Sequence, residues 1–158
     1  MTATMYGTAD GVAGLVSDTY TDSTTHKFTT STSPAKATVE TWITQMSSVA
    51  NVALADARFI IPITQADCVN ALTGQIERAV AELCNYHRQT GRFFTQAMTV
   101  KADAMNTLCD EIRSWVVSNA QGMENAGAVR NSEQSGTDAP RARIIRARHT
   151  QDPYSPPL

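Results

Sequence analysis

The sequence predicts an all-α fold: a small bundle of about four helices with a long, extended C-terminal arm. Three observations predict it. Apolar residues recur at spacings of three and four over three long segments, which is the mark of amphipathic helices. Proline, glycine and hydroxyl-rich stretches lie between those segments, supplying the turns and caps a bundle needs. Past Met123 the composition changes: residues 124–158 carry only Val129, Ile144, Ile145, Tyr154 and Leu158 as large apolar side chains, scattered among Gly, Ser, Asn, Pro and five arginines. Such a stretch buries too little apolar surface to offset its own ordering entropy. The chain therefore divides into a helical body, 1–123, and an arm, 124–158.

The first helix is expected over residues 9–16, with Thr8 as N-cap and Val12, Leu15 and Val16 on one side. Gly11 and Gly14 weaken it by about 1 kcal/mol each relative to alanine, so it needs tertiary support. Residues 17–33 are dominated by Thr and Ser, whose hydroxyls compete for backbone hydrogen bonds. They read as an exposed surface loop with extended portions, anchored by Tyr20 and Phe28, or as a loop that contacts a partner. Pro34, preceded by Ser33, suits the first turn of a second helix carrying Val39, Trp42, Ile43, Met46, Val49, Ala50, Ala53 and Leu54 on one face. Pro62 then stops helix formation, and residues 59–63 become an apolar linker laid across the body. Residues 64–67 offer capping chemistry for a third helix, with Val69, Leu72, Ile76, Ala79, Val80, Leu83 and Tyr86 or His87 at helical spacing and an end near Gly91. A fourth helix is expected over residues 98–119, burying Ala104, Met105, Leu108, Ile112, Trp115 and Val116 and stopping at Gln121 and Gly122.

Charge and cysteine usage narrow the class. Residues 1–129 hold eight Lys and Arg against twelve Asp and Glu, a net −4, while residues 130–158 hold five against three, a net +2. Neither approaches the strongly basic face of a dedicated nucleic-acid binder. Cys68, Cys84 and Cys109 are odd in number and widely spaced, which points to reduced thiols and a reducing cytoplasm rather than a disulfide framework. The first nine residues lack the cationic start and apolar stretch of a signal peptide, and no window approaches the roughly 18 apolar residues of a membrane span. A soluble protein is expected.

No catalytic, metal or cofactor site is expected. His26, His87 and His149 lie far apart, and His87 reads as a structural residue at a helix edge. The three cysteines can all serve as small hydrophobes beside the core stripes, and they do not supply four convergent zinc ligands. Glu40, Glu77, Glu82, Asp110 and Glu111 fall mainly on polar helical faces and read as solvated surface. Neither phosphate-binding glycine fingerprint is present. What remains is the arm: Arg141, Arg143, Ile144, Ile145, Arg146 and Arg148, followed by Tyr154 and Leu158. In an extended conformation Arg143 and Ile145 share one face while Ile144 and Arg146 share the other, so each face mixes charge with aliphatic contact. Mixed faces suit a protein surface better than bare phosphate, and these eight residues are the expected partner-binding set.

The body's landmarks carry a resemblance. Residues 8–15, the Thr/Ser-rich spacer, Ser33 and Pro34 leading to Val39, Glu40, Thr41, Trp42 and Ile43, and then residues 55–64 with Phe59, Ile60, Ile61, Pro62, Ile63 and Thr64 resemble, in that order, the head-tail adaptor (connector) proteins of long-tailed bacteriophages. The likeness covers about residues 6–120 and departs from the usual pattern in lacking a polar cap immediately before Lys36. It implies a non-enzymatic homo-oligomeric ring, commonly a dodecamer, seated beneath the portal protein in the virion neck. Such a ring is assembled in the host cytoplasm, meets a downstream neck or tail-completion protein, and continues the channel through which genomic DNA passes without sequence-specific binding. The arm lies outside the matched region; the resemblance implies a C-terminal segment that reaches the portal, and the arm is expected to dock on the portal or on a neighbouring subunit. The alternative is a small helical DNA-binding protein using residues 141–148 as a phosphate arm. That alternative requires duplex affinity falling by orders of magnitude between about 50 and 200 mM salt.

Overall fold

A computed structural model describes residues 4–90 and 96–131, with side chains described outside 88–102. Among the described residues the fold is all-α, with helices α1 (Ala9–Ala13), α2 (Lys36–Asp56), α3 (Ala66–Thr90) and α4 (Gln96–Asn125) and one 3₁₀ turn at Asp18–Tyr20. The three long helices each pack against the other two, and α1 lies against α2 and α3. Ile43, Met46 and Leu54 of α2, Leu72, Ile76 and Leu83 of α3, and Leu108, Ile112 and Val116 of α4 form the common core. These are the stripes that helical spacing predicts. His87 packs edge-on to Trp42, with ring centroids 5.8 Å apart.

The N-terminal segment is held from three directions. Tyr6 is 1% exposed; its backbone N–H donates to Ser47 Oγ at 2.9 Å, and its hydroxyl donates to Asn51 Oδ1 at 3.1 Å. Ser47, a fully buried polar residue on the apolar face of α2, returns a bond to the Tyr6 carbonyl. Burial pushes the Tyr6 phenol above its ordinary range, so the hydroxyl remains a donor. Thr8 caps α1 as expected, its hydroxyl accepting from Gly11 N–H at 3.0 Å. The Thr8 N–H in turn donates to Glu77 Oε1 of α3 at 2.9 Å. Glu77 is thus more than a solvated surface carboxylate: it ties α1 to the bundle. The helix itself ends at Ala13, three residues earlier than expected, because the chain turns at Gly14 and leaves Leu15 exposed.

At Gly11, α1 passes hard against Glu77 of α3, since a Cβ there would fall on the Glu77 carboxylate. Gly11→Ala is expected to destabilise the body by about 1 kcal/mol by displacing Glu77 from Thr8. In a Glu77→Ala background the same change should instead stabilise by up to about 1 kcal/mol through helix propensity. A double-mutant cycle by chemical denaturation reads the sign change.

Residues 17–33 keep Tyr20 and Phe28 buried, as anchors must be. Asp22 Oδ1 accepts from the backbone N–H groups of Thr25 and Thr24, at 2.9 and 3.0 Å, and these bonds hold its carboxyl below the usual range. Pro34 does not occupy the first turn of α2: the Ser33–Pro34 peptide is cis, and the helix begins at Lys36 after an extended Ala35. Ala35 has no side-chain oxygen to cap with, so the loop closes the helix end instead. Lys36 N–H donates to the Thr29 carbonyl at 2.9 Å, while Thr32 Oγ1 donates to the carbonyls of Thr29 and Pro34.

The C-terminal ends of α2 and α4 are built alike. At α4, Ala128 N–H donates to the Met123 carbonyl and Gly127 N–H to that of Glu124, with Gly127 at φ +93°, and Met123 and Ala128 are both buried. This is a Schellman cap with its hydrophobic contact. It corrects the expected stop at Gln121 and Gly122, both of which lie inside the helix. At α2, Phe59 N–H donates to Leu54 and Arg58 N–H to Ala55, with Leu54 and Phe59 buried. Here Arg58 holds the left-handed position, at φ +67°. A glycine adopts that conformation without the Cβ penalty, so Arg58→Gly is expected to raise stability by about 1 kcal/mol, seen as a higher melting temperature.

Candidate docking site

The eight arm residues singled out by the sequence, Arg141, Arg143, Ile144, Ile145, Arg146, Arg148, Tyr154 and Leu158, lie outside the described residues. What the structure describes is the root from which the arm departs. Residues expected to begin the arm at 124 belong, through Asn131, to the helical body: α4 runs on to Asn125, and the chain then returns along the linker between α2 and α3.

That return is a short antiparallel pairing. Ile60 N–H donates to the Val129 carbonyl and Asn131 N–H to the Arg58 carbonyl, both at 2.8 Å, with Phe59 opposite Arg130. The two bonds flank the Phe59–Arg130 pair, placing those side chains in the closer of the two antiparallel pairing geometries. The Arg130 guanidinium accordingly sits over the Phe59 ring, 5.0 Å from its centroid, and its Nε lies 3.3 Å from Glu124 Oε2. Residues one step along face the opposite way, so Ile60 and Val129 form a cross-strand apolar pair, 53% and 54% exposed. Arg58, beside them, is exposed. The predicted apolar linker is therefore split: Phe59 and Ile63 enter the core, while Ile60 faces outward with a partner that lies 69 residues later in the chain. Sequence spacing carried no signal for that pairing.

Two clefts lie along α3 and α4. Toward the arm root, an apolar groove of about 140 Å³ has Cys68 and Ala71 on one wall and Trp115, Gly122 and Met123 on the other, with Asp67 at the rim. Farther along, a cleft of about 280 Å³ is lined by Glu82, Asp103 and Glu111 around Tyr86 and Leu108. Among the described residues, no group of three or more His, Cys, Asp or Glu could hold a metal ion, and no helix is long and apolar enough to cross a membrane.

The thiols are free and sit beside the core. Burial raises all three, carrying Cys84 up to about 12, and the Cys68 thiol donates weakly to the Met123 carbonyl at 3.5 Å. Cys109 is half-buried, Cys68 is buried but forms part of the groove wall, and Cys84 is enclosed. A thiol-reactive chromophore at mildly alkaline pH is expected to label Cys109 first and Cys84 last, at the rate of unfolding. Equal rates at all three would contradict this packing. No family model, curated protein or solved structure matches the chain.

Proposed function

We propose that the chain is a structural head-tail adaptor of a long-tailed bacteriophage, a non-enzymatic subunit that forms a ring, commonly of twelve copies, beneath the portal protein. The observation that carries this reading is the order of landmarks along the sequence. The short helix after Thr8, the Thr/Ser spacer, Trp42 and Ile43 on α2, and the Ile61, Pro62, Ile63, Thr64 linker follow one another as in that family. Genomic DNA passes through the ring without sequence-specific contact, and a downstream neck or tail-completion protein meets the opposite face.

In this reading the arm makes contact with the portal or with a neighbouring subunit. Ordering ten of its residues costs roughly 10–20 kcal/mol of backbone entropy, whereas an exposed arginine pair returns only about 0–1 kcal/mol. One arm alone binds weakly unless its isoleucines, Tyr154 and Leu158 find pockets. Many arms on one ring reinforce each other through effective concentration. Electron microscopy of the purified protein, alone and mixed with its portal, tests the proposal. A ring that seats on the portal is the expected result, and a chain that neither forms rings nor associates with the portal would overturn it.

A further inference from the structure

We infer that the apolar groove between α3 and α4 receives the arm of a second copy, with one isoleucine of the Ile144, Ile145 pair entering the groove and a flanking arginine meeting Asp67. The inference rests on the reading above for its expectation that copies of the chain associate. It goes further by naming the acceptor and the segment that fills it.

The groove itself asks for an occupant. Apart from Asn119 and Asp67 its lining is apolar or small, and its volume of about 140 Å³ is that of a single side chain. Gly122 lies inside α4, where glycine is less favourable than alanine, yet a Cβ placed on it would meet nothing within 4 Å. Packing within the body therefore gives no reason for a glycine there. Its missing side chain leaves the groove open to an approaching backbone.

The chain beyond the described structure contains one segment with matching chemistry. Of the 27 residues after Asn131, the large apolar ones are Ile144, Ile145, Tyr154 and Leu158. Only the isoleucine pair is flanked by cations, Arg143 and Arg146, that can answer the Asp67 carboxylate. In an extended conformation either isoleucine would enter with a cation on its own face, Ile145 with Arg143 and Ile144 with Arg146. Ile144 lies thirteen positions after Asn131, a reach of up to about 43 Å when extended.

The register at the root favours a second copy over the same chain. Because Val129 pairs with Ile60 and Asn131 with Arg58, residues 129–131 run back along the linker toward the C-terminal end of α2, away from the start of α3 where Asp67 and Cys68 line the groove.

Sedimentation velocity of the full chain over a concentration series tests the inference with two variants. Ile144→Ser/Ile145→Ser disables the arm. Gly122→Leu fills the groove, and because leucine is the better helix former at an open position, the body should melt no lower than the native protein. The native chain is expected to self-associate, each variant to do so about ten-fold or more weakly, and an equimolar mixture of the two to recover association. Recovery follows because one partner keeps its groove and the other its arm. A native chain that stays monomeric, a variant that associates like the native chain, or a mixture no better than its components would overturn the inference. The readout is self-association alone, so failure to seat on a portal bears on the adaptor reading and not on this one.

Discussion

Replacing Tyr6 with alanine is expected to lower the stability of the body by about 3–5 kcal/mol, the range for removing a large buried aromatic side chain. The reason is specific to this residue. Tyr6 is the bolt between the N-terminal segment and α2: its ring is enclosed, its backbone N–H is bonded to buried Ser47, and its hydroxyl to Asn51. Emptying its site takes the phenol hydroxyl from Asn51, leaves a cavity against α2 and loosens α1, whose five residues are too few to persist alone. Tyr6→Phe removes only the hydroxyl bond and should cost about 0.5–1.5 kcal/mol. Thermal denaturation separates the two, with a fall of more than about 10 °C expected for alanine and a few degrees for phenylalanine. Equal shifts would mean that the ring contributes little and that the N-terminal segment is only loosely attached.

Two truncations separate the body from the arm. A chain ending at Asn131 is expected to melt like the full protein and to lose arm-mediated association. A chain ending at Met123 loses the Schellman cap of α4, buried Ala128, the Arg130 contacts to Phe59 and Glu124, and both backbone bonds to the α2–α3 linker. Its stability should fall by about 2–4 kcal/mol. Circular dichroism melts of the two truncated chains compare them directly. If both melted alike, the return of residues 126–131 would not belong to the folding unit.

The helices were legible because each long segment repeats its apolar residues often enough to define a face, and the buried faces of α2, α3 and α4 are the predicted ones. Thr8 was legible as a cap, and Tyr20 and Phe28 as anchors, because a cap and a large ring in a hydroxyl-rich loop each have few alternatives. Helix ends were less legible. Gly122 and Gly127 both qualify as stops, and only tertiary contact, the burial of Met123 with Ala128, decides for the second. The left-handed residue after α2 is Arg58, which no propensity rule selects. Pro34 suits a helix start, yet α2 begins two residues later, where the Thr29 carbonyl of the preceding loop accepts from its first N–H. Tyr6 and Glu77 escaped for a different reason: a single aromatic and a single carboxylate have no period, and their roles exist only once residues 41 and 69 positions apart are brought together. The expected arm residues carry their argument from sequence alone, while the root and the groove could come only from the fold.

The pairing of residues 129–131 with the linker also sets how the body responds to force. A pull on the arm acts first on the two 2.8 Å bonds that join it to Arg58 and Ile60. It reaches α4 only afterwards. When tension is directed along the strand, both bonds are loaded together, and the stacked Arg130 and Phe59 side chains resist sliding. The root thus places the linker between α2 and α3, rather than the end of α4, as the first part of the body that a load on the arm meets.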